Sequence, residues 1–122
     1  FRHQLSGGAV VTRGLDQCLF LYPKEEWEQL AGRLASLPLA QAQARAFVRL
    51  MLSGAMEVEL DKQGRMVLPA YLRTYAQLKT NAVITGLYNR VEVWDEQSWK
   101  KYRQSSEQDS SAIAEQLGSL GI

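Results

Sequence analysis

Two stretches, Leu19-Phe20-Leu21-Tyr22-Pro23-Lys24-Glu25-Glu26-Trp27 and Val91-Glu92-Val93-Trp94-Asp95-Glu96-Gln97-Ser98-Trp99, share one layout. Each places apolar residues at alternate positions, then an aromatic residue, a helix-opening residue and a tryptophan. Leu19 matches Val91, Leu21 matches Val93, Tyr22 matches Trp94 and Trp27 matches Trp99. Upstream, Ala9-Val10-Val11-Thr12 answers Ala82-Val83-Ile84-Thr85, and Gly14-Leu15 answers Gly86-Leu87, with Arg13 as one extra residue in the first copy. Phe1-Arg2 aligns with Leu72-Arg73. A sequence that repeats itself at this spacing describes one supersecondary unit used twice.

The unit reads as strand, glycine turn, strand, helix. Val91 and Val93 alternate with Arg90 and Glu92, the period of a strand with one buried face. Trp27, Leu30, Ala31 and Leu34 fall on one helical stripe. Pro23 opens that helix, where its missing N–H costs nothing, and Asp95 is placed to cap its counterpart. Between the copies, residues 39–52 form another helix with Ala42, Ala46, Phe47, Leu50 and Met51 on one face. Gln41, Arg45 and Arg49 line its opposite side, as a solvated face, a phosphate contact or a subunit salt bridge.

The second copy has more in front of it. Met56, Val58 and Leu60 alternate with Glu57 and Glu59, the residues 61–64 make a turn, and 65–68 read as a short strand before Pro69 opens a brief helix bearing Leu72 and Ala76. By the repeat, a hairpin like 57–69 is expected ahead of Phe1. The tail from Ser105 is rich in Ser, Gln and acidic residues, and Ile113 and Leu117 mark a loosely held helix.

Composition narrows the function. With 122 residues and 46% apolar content, the chain can build a core. A net charge of +1 does not advertise a polyanion partner, so any nucleic-acid site must be local or multiplied by assembly. One cysteine, Cys18, excludes an intrachain disulfide, and one histidine, His3, leaves little for a metal or a proton shuttle. No apolar run reaches the ~20 residues of a membrane span. No nucleophile–base pair and no Gly-rich phosphate loop is present, so the chain is not expected to be an enzyme or to need a cofactor.

Several stretches, in order, carry a family resemblance: Thr12-Arg13-Gly14-Leu15-Asp16-Gln17-Cys18-Leu19-Phe20, Tyr22-Pro23, Glu26-Trp27, Leu37-Pro38-Leu39, Ala44-Arg45-Ala46-Phe47, Ser53-Gly54-Ala55, Asp61-Lys62-Gln63-Gly64-Arg65 and Asn89-Arg90-Val91-Glu92-Val93-Trp94. Together they make the chain similar to the MraZ family over nearly its whole length. The resemblance implies an α+β fold of tandem, pseudo-symmetric AbrB/MraZ-like swapped-hairpin units: residues 1–53 as the first repeat (without its N-terminal hairpin) plus the connecting helix, 54–104 as the second, and 105–122 as a tail. It implies a cytoplasmic, nucleoid-associated transcription regulator, commonly a repressor. Such a protein assembles as a homo-oligomeric ring on direct repeats of double-stranded DNA in the promoter of its own cell-division and cell-wall operon. It also implies that DNA is contacted by an Asp-x-x-x-Arg motif, here Asp61, Lys62, Gln63, Gly64 and Arg65.

The residue chemistry at that motif is explicit. Arg65 offers a planar fork suited to guanine O6 and N7 or to phosphate. Lys62 is a flexible point charge for phosphates. Gly64 lets the backbone approach closely, and Gln63 can face a base edge. Asp61 repels phosphate, so its role is local: accepting turn N–H groups or holding Arg65. Arg73 and Arg2, at matching positions, are secondary candidates for phosphate, with a structural or interface role equally open. Tyr71, Tyr75 and Tyr88 can stack on bases or pack at an interface. A protein-interaction module with DNA secondary, and an antitoxin-like relative with a partner-wrapping tail, are the competing readings.

Overall fold

The computed structural model describes residues 7–121. Its strands are β1 (Ala9–Arg13), β2 (Leu19–Pro23), β3 (Met56–Val58), β4 (Ala82–Leu87) and β5 (Arg90–Asp95). Its helices are α1 (Lys24–Ala35), α2 (Ala42–Ser53), α3 (Ala70–Tyr75), α4 (Glu96–Gln108) and α5 (Ser110–Gly118). The strands form one five-stranded sheet in the order β3-β1-β2-β5-β4, with every pairing antiparallel. The α+β class follows directly.

The repeat is visible as a pseudo-twofold arrangement. The hairpins β1–β2 and β4–β5 meet along β2 and β5, where Leu19 faces Val93, Phe20 faces Glu92 and Leu21 faces Val91. Because Leu19 corresponds to Val91 and Leu21 to Val93, exchanging the copies reproduces this register. The two copies therefore share one sheet.

Side-chain alternation across that sheet builds two cores. Ala9, Val11, Leu19, Leu21, Val58, Val91 and Val93 face one side, where Leu72 and Ala76 cover them. Cys18, Phe20, Tyr22 and Trp94 face the other, under Leu34 of α1 and Met51 of α2. On this second side the Thr12 hydroxyl donates to the Met51 carbonyl oxygen at 2.5 Å, tying α2 to β1. Trp27 and Trp99, half-buried, pack against this core. Tyr22–Trp27 and Trp94–Trp99 lie at centroid distances of 5.8 and 5.4 Å, the same aromatic pair built twice.

Four expectations change. Residues 65–68 are not a strand. Their alternation survives, with Met66 and Leu68 packed on the core and Val67 85% exposed, but β3 pairs with β1 instead of with them. The β3 strand itself stops at Val58. Second, β5 is buried on both faces, Glu92 included, because α4 lays Trp99 over it and Glu92 finds two donors. Third, Ala42 and Ala46 of the apolar face assigned to α2 are exposed, and Met51 is its buried residue. Fourth, the ladder sets Arg13 opposite Leu19 and Gly86 opposite Val91. Arg13 thus stands where the other copy has Gly86, and the extra residue belongs to the turn that follows.

The cap at Asp95 is as expected: its carboxylate accepts from the Gln97 and Ser98 N–H groups at 3.1 and 3.3 Å. Pro23 precedes α1 with no side-chain cap. The tail is helical through α5, which follows α4 after Asp109 alone and keeps Ile113, Leu117 and Leu120 exposed.

Candidate nucleic-acid interface

Residues 61–65 form a closed turn. The Asp61 N–H donates to the Arg65 carbonyl oxygen at 2.8 Å and the Gly64 N–H to the Asp61 carbonyl oxygen at 3.0 Å. Gly64 has φ of +80°, the left-handed region that a Cβ disfavours. Asp61 organises what remains. Its Oδ1 accepts from the Gln63 N–H at 2.9 Å and the Arg65 N–H at 2.8 Å, and its Oδ2 accepts from Arg65 Nε at 3.0 Å. Both local roles expected of Asp61, turn acceptor and Arg65 holder, are present together.

The result is an arginine aimed by an aspartate. The ion pair uses the Arg65 Nε–H and leaves the fork of terminal N–H groups on a side chain that is 73% exposed. An exposed pair of this kind adds little stability. Its physical effect is to restrict the orientation of the guanidinium. Lys62, Gln63 and Gly64 are exposed on the same turn.

The secondary candidates lie elsewhere. Arg73, exposed on the last turn of α3, lines a shallow cleft with Thr74, Gln77 and Lys79. Lys79 is a cation not singled out from the sequence; its proximity to Arg73 depends on the turn after α3. Arg2 lies outside the described residues. Arg45 is committed locally, donating from Nη1 to the Leu39 and Ala40 carbonyl oxygens at 2.8 and 3.2 Å. Tyr71 and Tyr75 anchor through their hydroxyls, to the carbonyl oxygens of Gly54 at 2.9 Å and Gly14 at 2.7 Å. Tyr88 is fully exposed.

Cys18, buried beside the core, has its thiol pushed up to about 12, by burial first and then by the carboxylates of Glu92 and Asp16. A thiol held protonated in this way is a packing residue, not a nucleophile. Among the described residues no group of three His, Cys, Asp or Glu side chains gathers as a metal would require, and no helix is long and apolar enough to cross a membrane.

Comparison with known proteins adds the context of the turn. A family model described as "MraZ protein, putative antitoxin-like" matches this chain twice, over residues 1–50 and 51–119. The chain belongs to the MraZ family. Similar proteins named "Transcriptional regulator MraZ" occur in Desulfitobacterium hafniense and Natranaerobius thermophilus, each 50% identical over 122 residues, all of this chain and 85% of the relative. Another from Halothermothrix orenii is 48% identical over the same shares. The two matched segments meet at residues 50 and 51, within α2, so the family's division cuts between the two hairpins of the shared sheet.

Proposed function

We propose that this MraZ-family chain is a sequence-specific DNA-binding transcription regulator whose reading element is the turn Asp61-Lys62-Gln63-Gly64-Arg65. The observation that carries this reading is the Asp61-oriented, 73% exposed Arg65 guanidinium in a chain half identical to proteins named transcriptional regulators. The relatives' name is that of a regulator and not of an enzyme. Arg65 supplies the fork for guanine or phosphate, Lys62 a phosphate contact, and Arg73 a second cation further along.

One such turn on a protomer of net charge +1 binds a duplex weakly. The proposal therefore includes self-assembly into a ring that presents several turns to evenly spaced direct repeats in the promoter of its own cell-wall and cell-division genes, where it represses. Later contacts are then intramolecular, adding ~10²–10⁴ in affinity. The test is the affinity of the full chain for duplexes carrying one, two and three repeats, against scrambled DNA. Affinity should climb steeply with repeat number. Equal affinity for all four duplexes contradicts the reading.

A second reading, a protein-interaction module, has its own observation. β4 is an outer strand of the sheet with Ile84 68% exposed, and an open strand edge invites another chain. Assembly without preference for any duplex favours it.

A further inference from the structure

The segment that carries the proposed DNA-binding turn runs from Gly54 through β3, paired with β1, to Tyr71, with Leu60, Met66 and Leu68 on either side of the turn packed on the core. Gly54 and Tyr71 are joined: the Tyr71 hydroxyl donates to the Gly54 carbonyl oxygen at 2.9 Å. Arg13 sits against both sides of this junction. Its guanidinium lies over the Tyr71 ring at 5.7 Å and the Tyr75 ring at 6.0 Å, and its Nη1 donates to the Ser53 hydroxyl at 3.4 Å. The Tyr75 hydroxyl answers by donating to the carbonyl oxygen of Gly14, beside Arg13, at 2.7 Å. Space at the junction is tight. A Cβ on Gly54 would stand 3.1 Å from Arg13 Cγ and 2.9 Å from the Leu50 carbonyl oxygen, so backbone and arginine stem are in direct contact.

We infer that Arg13 is a positioning residue: it clamps the base of the segment 55–70 and so sets the orientation in which Asp61 and Arg65 meet DNA, without touching DNA itself. The inference rests on the reading of that turn as the DNA-binding element. The two copies differ here. The ladder position of Arg13 is held by Gly86 in the second copy, which has no side chain with which to clamp. A cation shared by two tyrosine faces is a directional contact. It fixes α3 relative to the β1–β2 turn, and α3 follows the turn segment after Pro69 alone.

The test compares the unaltered full chain with Arg13→Met, which keeps the stem and removes the cation, and with Arg13→Lys, which keeps a cation. Two quantities are read: amide exchange of Leu72 and Arg73 in α3 without DNA, and affinity for the direct-repeat duplex across a salt series. In Arg13→Met, exchange of these amides should rise about tenfold and affinity should fall about tenfold, with the salt slope unchanged. Arg13→Lys should recover most of both. In an Arg65→Ala background, Arg13→Met should weaken binding no further, because its effect passes through Arg65.

A salt slope reduced by ~0.9 would make Arg13 itself a phosphate contact and overturn the inference. Unchanged exchange overturns the clamp, and raised exchange with unchanged affinity overturns its link to DNA. If the unaltered chain shows no preference over scrambled DNA, the reading of the turn fails and the role proposed for Arg13 in DNA binding falls with it; the exchange result then separates a clamp that exists without that role from no clamp at all.

Discussion

Phe20 and Glu92 lie directly opposite each other where the two hairpins join, and the Arg90 guanidinium covers the Phe20 ring at 4.7 Å. The pseudo-twofold relation passes between them, so one copy presents an aromatic ring where the other presents a carboxylate. Glu92 is only 8% exposed. It accepts from Trp94 Nε1 at 3.0 Å on one oxygen and from Arg90 Nε and Nη2 at 3.2 and 3.0 Å on the other. Its burial is compensated by a complete set of partners.

Removing that carboxylate should be costly. Glu92→Ala strands the Trp94 N–H and leaves Arg90 without its partner, a loss of about 2–3 kcal/mol. Because the Arg90 side chain is 33% exposed, water recovers part of the arginine's loss, which keeps the figure below that of a fully buried pair. Urea unfolding measures it; a change below about 0.5 kcal/mol would contradict the packing described.

The helix caps should respond unequally. Asp95→Ala removes two N–H acceptors from the start of α4 and should cost about 1 kcal/mol. Pro23, before α1, contributes no side-chain cap, so Pro23→Ala has no cap to lose. Thermal unfolding of the two variants distinguishes them, with the larger drop expected in Asp95→Ala.

Alkaline pH should destabilise through Cys18. Its thiol titrates at 9.0 when unperturbed and near 12 in the fold, so the folded state retains its proton more tightly. The stabilisation is complete below pH 9 and is lost as pH rises towards 12. Cys18→Ala should flatten the decline over that window, measured as unfolding free energy against pH. A decline of the same steepness in the variant would rule Cys18 out as its source.

Asp61 should matter to binding far more than to folding. Asp61→Asn can still accept from Gln63 and Arg65 N–H groups, while Asp61→Ala loses these and the grip on Arg65 Nε. DNA affinity should therefore fall in the order wild type, Asn, Ala, with the Ala variant down about tenfold. Stability should move by less than about 0.5 kcal/mol, as expected on an exposed turn. A stability loss that scales with the affinity loss would show Asp61 to be a folding residue only.

Local features were legible in the sequence and cross-chain pairings were not. The matched positions Tyr22/Trp94 and Trp27/Trp99 announced the repeat, and the structure builds the same ring pair from each. The turn at 61–65 was legible because all its bonds lie within five residues. The partner of β3 was not, since alternation tells which face is buried and not which strand lies alongside; β3 crosses to β1. Glu92 read as an outward residue because its donors, Arg90 and Trp94, sit on its own strand and satisfy it inside. The Arg13 junction joins residues 40 and 61 positions apart, a proximity that only the shared sheet creates.

The most direct test of the account is the affinity of the full chain and of Arg65→Ala for a duplex bearing the proposed direct repeats and for a scrambled duplex, by fluorescence anisotropy at several salt concentrations. The account predicts that the unaltered chain prefers the repeats, and that Arg65→Ala loses at least tenfold of that preference while keeping its fold. Undiminished preference for the repeats in Arg65→Ala would contradict the assignment of this turn as the reading element.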